Sequence, residues 1–535
     1  MNDLKNLERE LRAGRISRRE FMKATSALGL AAAAGGAAGI SAALSPAHAM
    51  PKRGGRFVFG MGHGSTTDSR DPGTFENDFT IGSSFTLYNF LTEIGTDGQL
   101  IGELAESWDS KDGKRWVFEL RRGVEFHNGK SLSARDVVDS INHHLGEDSA
   151  SAAKPLLTAI TGIRADGNAV VIDIEQANAD FPFIVSDYHI PIMPSKNGKP
   201  DYSQSIGTGP YMEVSYEPGV RRNFKRNPNY WKAGRAHFDE IQLITIADVS
   251  ARTSALTTGE IHSMDRVEPK TARLLKRNQD IEIIELEGTA HYTIPMIVTQ
   301  SPFDNNDVRL ALKYALNREA MLQTVLKGYG YLGNDHPIGR GQRYYNGDLP
   351  QRAYDPERAK FHLKKAGYSS LTVPLKAADA AFAGAVDAAV LYKEDAAKVG
   401  ITINIERVPS DGYWSNVWNT DNCQWCYCYW SGRPVEDQMF STAYADPAVA
   451  EWNDAEWNHA EFNKLLTAAR SELNETKRRE MYYEMQRIVS DEGGTVVPVF
   501  NSYLNANSKK VAHEAQMASN WDKDGQRWAE RWWFA

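Results

Sequence analysis

Through most of the chain, short apolar stretches alternate with polar turns. Period-two alternation of apolar and polar side chains predicts strands at 56–61 and 115–120, because neighbouring side chains of a strand point to opposite faces. Apolar positions spaced three and four residues apart predict helices instead, and the clearest is an amphipathic helix over 304–328. A second helical stretch covers 461–490 and is predicted to break into two helices near Asn474. The pattern therefore indicates a chain that mixes strands with helices.

The most distinctive stretch runs from residue 423 to residue 444. Its first eight residues are aromatic residues, cysteines and one glutamine, and none of them is charged. This composition predicts a buried strand over 423–430. The strand is predicted to end at Ser431-Gly432-Arg433-Pro434, and the charged residues Glu436 and Asp437 follow. An aromatic strand that leads into a charged Gly/Pro turn is typical of a small-molecule site on a rigid scaffold. The alternative is a core strand followed by an ordinary polar turn.

The first 49 residues are predicted to be a leader rather than part of the fold. The run Ser17-Arg18-Arg19-Glu20-Phe21-Met22-Lys23 is a twin-arginine export signal, and Ala47-His48-Ala49 is a small-x-small cleavage site. The apolar stretch between them is rich in Gly and Ala, which argues against a membrane anchor. No Cys lies near the cleavage site, which excludes a lipid anchor there. We therefore expect a bacterial protein that is exported in the folded state to the periplasm.

Charge and length narrow the class of protein further. The chain has 535 residues and a formal net charge of −8. The leader holds seven Lys and Arg against four Asp and Glu, a net +3, so the remaining 486 residues carry −11. An acidic chain argues against nucleic acid as a partner. A chain of this length exceeds one ordinary domain, and we expect two or three lobes.

The three cysteines lie together at Cys423, Cys426 and Cys428. An exported protein held together by disulfides would spread its cysteines along the chain, so these residues are expected to act as small buried hydrophobes. The spacing Cys423-x-x-Cys426 is also that of a redox or metal pair, but it lies in a predicted strand and has no second pair. A Cys423–Cys426 disulfide stays open as an alternative in an oxidising compartment.

Several motifs in a fixed order resemble a known family of proteins. They are Leu104-Ala105-Glu106-Ser107-Trp108, Leu120-Arg121-Arg122-Gly123-Val124-Glu125-Phe126-His127-Asn128-Gly129, Ser133-Ala134-Arg135-Asp136-Val137-Val138, Gly207-Thr208-Gly209-Pro210-Tyr211, Asn227-Pro228-Asn229-Tyr230-Trp231 and Asp307-Val308-Arg309-Leu310-Ala311-Leu312. Together they make the chain similar to solute-binding protein family 5, the peptide-, opine- and nickel-binding receptors of ABC importers. The resemblance covers essentially the whole chain after the leader.

The resemblance implies an α/β fold of the two-lobed flytrap type, the fold of periplasmic binding proteins, with an extra subdomain in the N-terminal lobe. A ligand would bind between the lobes, and closure of the lobes would bury it. The expected segments are the signal peptide at 1–49, lobe I at 50–93, 205–292 and 500–535, the extra subdomain at 94–204, and lobe II at 293–499.

The resemblance also implies which residues face the ligand in lobe II. Trp430 stands where relatives have a tryptophan that lines the peptide pocket, and Trp414 matches a second cleft tryptophan. Peptide-binding relatives hold the ligand ammonium with an aspartate three residues after the first tryptophan, where this chain has Arg433. Dipeptide-binding relatives hold the ligand carboxylate with an arginine, where this chain has Asp379. Both charges are therefore expected to be inverted. The alternative is that Arg433 pairs with a nearby acid and never touches the ligand.

Further contacts are expected from four other residues. Phe382 lies three residues after Asp379, in the same stretch of the sequence. Asp78 and Phe79 fall where the family pairs its main chain with a bound peptide, and Asn501 lies at the second expected crossover between the lobes.

The function expected from these motifs is that of a monomeric periplasmic receptor for a short peptide, an opine or a related amino-acid derivative. It would deliver its small-molecule or peptide ligand to the transmembrane subunits of an ABC permease, without a cofactor. An exported hydrolase is an alternative, but the chain has neither a Gly-x-Ser-x-Gly elbow nor a His-Glu-x-x-His motif. A metal or haem carrier is a further alternative, weakened by the scattered positions of the thirteen histidines.

Overall fold

The computed structural model describes residues 51–410, 413–420, 423–450 and 452–535. The predicted leader, 1–49, lies outside the described residues. Among the residues described, no helix combines the length and the apolar character needed to cross a bilayer.

The largest sheet has seven strands, and they come from three separated parts of the chain. In spatial order they are Tyr211–Glu217, Arg221–Arg226, Glu240–Thr245, Arg56–Met61, Ser263–Met264, Tyr503–Ser508 and Ile281–Leu286. The predicted strand Arg56–Met61 lies at the centre and runs parallel to both of its neighbours. All its residues after the first are buried, since apolar side chains pack on both faces of the sheet.

A second sheet carries the cysteine-rich stretch. It contains Gly330–Leu332, Val499–Asn501, His291–Pro295 and Cys428–Trp430, and Thr495–Val496 pairs with the third of these strands. The strand predicted over 423–430 is therefore shorter than expected. Trp425 and Cys426 form only isolated bridges, to Met296 and Lys376, because a neighbouring parallel pair of strands approaches them there. All three cysteines are buried with free thiols, which confirms their expected role as small hydrophobes.

A third sheet has four antiparallel strands. They are Ala105–Asp109, Arg115–Leu120, Ala169–Ile174 and Ile160–Asp166. The helix Ala134–Leu145 packs on this sheet, and at its start the Asp136 carboxylate accepts from the N–H of Ser133 at 2.9 Å. Two-stranded ladders complete the strands: Thr92–Ile94 with Leu100–Gly102, Ser195–Lys196 with Lys199–Pro200, Leu371–Ala377 with Ile401–Arg407, and Val511–Ala512 with Trp533–Phe534.

The remaining helices connect and cover these sheets. They are Asp78–Leu87, Lys154–Leu157, Phe181–Ile184, Val249–Thr258, Pro269–Leu275, Asn306–Tyr314, Arg318–Thr324, Pro356–Lys365, Ala385–Ala397, Tyr413–Asn416, Glu436–Ala443, Ala460–Ser471, Glu475–Glu492 and Trp528–Arg531, with a 3₁₀ turn at Pro72–Thr74. A left-handed turn forms at Asp522–Gly525, where the φ of Lys523 is 53°.

Two helix predictions have different outcomes. The break near Asn474 is confirmed, since Asn474 caps the second helix by accepting from the N–H of Lys477 at 3.1 Å. The single helix expected over 304–328 is wrong, because Asn317 starts a new helix by capping the N–H of Ala320 at 3.0 Å. The apolar spacing continues through this break, so periodicity alone does not reveal it.

A buried cluster of six charges joins segments that are far apart in the chain. The Lys232 ammonium lies 2.6 Å from Glu93, 2.7 Å from Glu103 and 3.1 Å from Glu530. The cluster is completed by two guanidinium groups, Arg527 and Arg531. Burial opposes the charge on Lys232, but the carboxylates raise its pKa well above the usual value. The carboxylate oxygens lie within 4.8 Å of one another, and they are already balanced by cations rather than open to a metal.

We predict that Lys232→Met destabilises the protein by about 3–5 kcal/mol, because it leaves buried carboxylates with too few counter-charges. Lys225 is an exposed lysine on the strand Arg221–Arg226 and gives a matched control. Lys225→Met should change the free energy of unfolding by less than about 0.5 kcal/mol. Urea unfolding at pH 7 measures both values. Equal effects of the two substitutions would show that the cluster does not stabilise the fold.

Candidate functional site

A cavity of about 2060 Å³ lies between the large sheet, the four-stranded sheet region and the second sheet. Each of these regions contributes to its wall. The residues on which the argument below depends are Glu76, Asp78, Tyr188, Tyr292, Tyr429, Arg433, Trp452, Asn501 and Trp521. A cavity whose wall is shared by separate sheets can change shape when those sheets move, which is how binding proteins with a hinge enclose a ligand.

Arg433 lies in the turn that follows the strand Cys428–Trp430. Gly432 precedes it with a φ of +82°, and a Cβ there would lie 2.1 Å from the Thr289 Oγ1, so only glycine fits this close approach. The turn directs the Arg433 side chain to the cavity, where its Nη1 donates to the Gly432 carbonyl at 2.8 Å. Its guanidinium carbon lies 5.5 Å from the centre of the Trp430 ring, a cation–π contact.

Among the described residues, no carboxylate lies within ion-pair distance of Arg433. The two acids that follow it in sequence are both engaged elsewhere. Glu436 accepts from the N–H of Tyr344 at 2.6 Å, and burial raises its pKa to about 7. Asp437 pairs with Arg470 at 3.1 Å. The structure therefore contradicts the alternative in which one of these two acids neutralises Arg433.

Tyr188 lines the same cavity as Arg433. Burial lowers the pKa of Arg433, and Tyr188 acts in the opposite direction. Burial raises the pKa of Tyr188 above its usual range, which keeps its hydroxyl protonated. Its ring packs edge-on against Trp521 at 5.6 Å. A protonated phenol near a guanidinium gives two donors that can share one anionic group.

Asp78 lines the opposite wall as the first residue of the helix Asp78–Leu87. Burial would raise its pKa, but Lys523, His63 and Arg266 hold it below the usual value. The corresponding distances from its carboxylate are 3.9, 3.7 and 3.6 Å. Burial lowers the pKa of His63, so the two cations that share the charge of Asp78 are Lys523 and Arg266, which leaves less of it for a ligand than the sequence suggests.

Trp430, which was predicted to face the ligand, lies one layer behind the cavity, whereas Trp414 is exposed but lies outside the cavity wall. Trp430 is 5 % exposed and supports Trp452, with 6.0 Å between the ring centres. The Trp414 ring packs against Tyr429 at 5.6 Å.

The other two predicted aromatics are placed in a similar way. Phe382 stacks on Tyr292 with ring centres 3.6 Å apart. Phe79 is fully buried and stacks near Tyr216 at 6.4 Å. The aromatic side chains that line the cavity here are instead Tyr292 and Tyr429 of the second sheet and Trp452, which lies in a turn after the helix Glu436–Ala443. The sequence held one signal for this, because strand periodicity places Tyr429 on the face opposite Trp430.

Of two polar residues predicted to contact the ligand, Asn501 lines the cavity and Asp379 does not. Asn501 lines the cavity at the end of the strand Val499–Asn501, and its N–H donates to the Ala290 carbonyl at 3.0 Å. Asp379 is exposed outside the cavity wall, and its carboxylate accepts from the N–H of Val386 at 3.4 Å. The structure therefore brings Asp78, Arg433 and Asn501 together around one cavity, while Asp379 lies apart from them.

Comparison with known proteins finds relatives that are similar to this chain over most of its length. The chain is 27% identical over 481 residues to di/tripeptide-binding protein 1 of Pseudomonas aeruginosa, which covers 82% of this chain and 89% of that protein. It is 26% identical over 469 residues to a glutathione-binding protein of Pectobacterium atrosepticum, covering 84% of this chain and 89% of that one.

Among solved structures, HbpA2 from Haemophilus parasuis superposes with a TM-score of 0.77 at 21% identity, over 86% of this chain and 96% of that one. This likeness confirms the predicted α/β periplasmic binding protein fold. The relatives are binding proteins, so the expectation that the chain is not an enzyme is confirmed as well. The profile described as bacterial extracellular solute-binding proteins, family 5 Middle, matches residues 99–452, two thirds of the sequence. The motifs, the sheets around the cavity and this match agree: the chain belongs to family 5 of the bacterial extracellular solute-binding proteins.

Proposed function

We propose that the chain is the periplasmic receptor of an ABC importer, exported through its twin-arginine leader. It captures a short peptide, an opine or a related amino-acid derivative and delivers it to the membrane permease. The segments 50–93, 205–292 and 500–535 would form lobe I, 94–204 the extra subdomain and 293–499 lobe II. Family membership and the relatives that bind peptides and glutathione support this proposal.

The observation that carries the proposal is the unpaired guanidinium of Arg433 in the cavity wall. A half-buried cation without a counter-charge costs free energy, and a ligand anion would remove that cost. Guanidinium groups hold carboxylates through two parallel hydrogen bonds. A ligand carboxylate or other anionic group at Arg433 therefore explains why the cation lies there.

A partner for a ligand amine is available in the same cavity. Glu76 lines the wall with an exposed side chain, and among the described residues no cation lies within ion-pair distance of it. We therefore assign the ammonium of a zwitterionic ligand to Glu76 rather than to Asp379, which lies outside the cavity wall. The ligand would then place its positive end toward lobe I and its negative end toward lobe II.

We predict that Arg433→Ala weakens binding by about 2–5 kcal/mol, because it leaves the ligand anion buried without a partner. Calorimetric titration of the mature chain with dipeptides, tripeptides, glutathione and opines measures this. Arg340, an exposed arginine that pairs with Glu287 at 3.5 Å and lies outside the cavity wall, gives the control. Arg340→Ala should leave each affinity within about twofold. Affinities within threefold of the wild type for every ligand that binds would show that Arg433 is only a turn residue.

Contact between the extra subdomain and lobe II is expected to contribute to closure. Asp180 and Arg478 form a buried ion pair, with 2.7 Å between Oδ1 and Nη1. Beside it, the N–H of Ala179 donates to the Arg470 carbonyl at 2.8 Å, and Arg470 lines the cavity. This ion pair thus joins the two regions at one end of the cavity without reaching the ligand.

We predict that Asp180→Asn weakens ligand binding about tenfold, because it removes the charge that favours the joined arrangement over the separated one. Small-angle scattering with saturating ligand should then show a larger radius of gyration than for the wild type. Asp173, on the strand Ala169–Ile174, pairs at the surface with Arg115 and Arg164 and supplies the control. If Asp180→Asn lowers only the stability and binds as tightly as Asp173→Asn, the pair has no role in closure.

A further inference from the structure

Four aromatic rings, Trp414, Trp418, Tyr429 and Trp452, form a cluster on the lobe II side of the cavity, here called the aromatic wall, and the buried Trp430 lies behind it. Trp418 lies near its centre, with ring centres 5.7 Å from Trp414, 6.4 Å from Trp430 and 6.3 Å from Trp452. Tyr429 extends the wall by packing against Trp414 at 5.6 Å. The proposed function does not use this surface, since a single carboxylate at Arg433 needs only the guanidinium.

The aromatic wall is exposed where it meets the cavity. Trp452 is 49 % exposed, Tyr429 47 % and Trp414 40 %, and the first two line the cavity. Val449, which is 79 % exposed, lies in the same part of the cavity wall. Large apolar side chains that gather at a cavity rather than in the core are typical of a binding surface.

Buried groups behind the wall hold the exposed rings in place. The indole N–H of Trp418 donates to the buried Asp454 carboxylate at 3.0 Å. Trp430 is buried and packs behind Trp452 at 6.0 Å. An exposed ring that is fixed from behind loses little conformational entropy when a ligand covers it, so the surface is prepared for binding.

The wall and the anion site are both supported by one buried residue. Trp430 supports Trp452 and also lies under the guanidinium of Arg433, whose central carbon is 5.5 Å from the Trp430 ring centre. Arg433 and the exposed ring of Trp452 therefore both lie against one buried ring and line the same cavity. The cavity of about 2060 Å³ leaves room for more than an anionic group at Arg433. Typical small-molecule pockets are roughly 300–1,000 Å³.

We propose that Trp452, Tyr429 and Trp414 form a second subsite that takes a flat aromatic or extended apolar group of the ligand. The substrate class is then an anionic amino-acid derivative or peptide that carries such a group. This inference rests on the proposed function for the anion site at Arg433. The role given to the aromatic wall is a separate claim that can fail by itself. The wall covers the apolar group by dispersion and by removing its surface from water.

The test uses 1-anilinonaphthalene-8-sulfonate, a fluorescent probe that joins an anionic sulfonate to flat aromatic rings. Titration of the mature chain should show saturable binding at one site. Trp452→Ala and Tyr429→Ser should each weaken binding about tenfold, because each removes an aromatic contact. Phe361, which is 61 % exposed on the helix Pro356–Lys365, gives a control variant far from these elements in sequence. Phe361→Ala should leave the affinity within about twofold. Absence of saturable binding, or an unchanged affinity in Trp452→Ala, overturns the subsite.

A matched pair of ligands separates the subsite from the proposed function. Glutathione and S-benzylglutathione carry the same charges and differ only in the benzyl group. S-benzylglutathione should bind the wild type about tenfold more tightly, and Trp452→Ala should remove this difference. Equal affinities that both depend on Arg433 leave the proposed function standing and overturn the subsite. Trp452-dependent binding of the fluorescent probe, with no binding of any peptide, opine or glutathione derivative, supports the subsite and contradicts the proposed function.

One further outcome identifies a different occupant. If Trp452→Ala abolishes uptake in cells but leaves the affinity for both glutathione compounds and for the fluorescent probe unchanged, the aromatic wall docks the permease rather than the ligand, and the inference is wrong.

Discussion

The free-energy cost of an uncompensated buried charge governs both the assembly and the site of this protein. Lys232 lies among three buried carboxylates and thereby joins parts of the chain that are hundreds of residues apart. Elsewhere in the fold Asp335 accepts two hydrogen bonds from Arg318 at 2.7 Å and lies 2.8 Å from Arg352. Among the residues described, the buried cations Lys313 and Arg309 have no carboxylate partner, but each is bound by several backbone carbonyls. Arg433 also lacks a carboxylate partner there, and it differs from them because it lies in the wall of the large cavity with a single carbonyl contact. The same physical cost that stabilises the scaffold thus indicates where an anion belongs.

A second constraint acts on the aromatic residues, which are arranged in layers. A ring that contacts a ligand must be partly exposed beforehand, and a ring that holds it must be buried. The fully packed rings Trp430 and Phe382 support Trp452 and Tyr292, whose faces reach the cavity. Rigidity at the site therefore depends on residues that never touch the solvent. This layering also gives the binding surface its two chemical parts, since Trp430 lies beneath a cation on one side and beside an indole on the other.

Several features were predictable because they depend on local chemistry. The helix that begins after Ser133, the break at Asn474 and the central strand Arg56–Met61 follow from capping and periodicity within a few residues. The ordered motifs predicted the family and the fold, and comparison with known proteins confirmed both. The second capping residue, Asn317, was equally local but was hidden by apolar spacing that continues through the break.

By itself, the sequence determined many of the elements, the family and the turn that carries Arg433, because these depend largely on neighbouring residues. Only the tertiary structure decided which side chains face the cavity. Asp379 lies on an exposed loop outside the cavity wall, and Glu436 is occupied by the N–H of Tyr344, which is 92 residues away. Exposure of Tyr429 rather than Trp430 was likewise decided by the cluster of helical side chains that covers the Trp430 face of their strand. Burial and ion pairing arise between segments distant in the chain, and no local pattern records them.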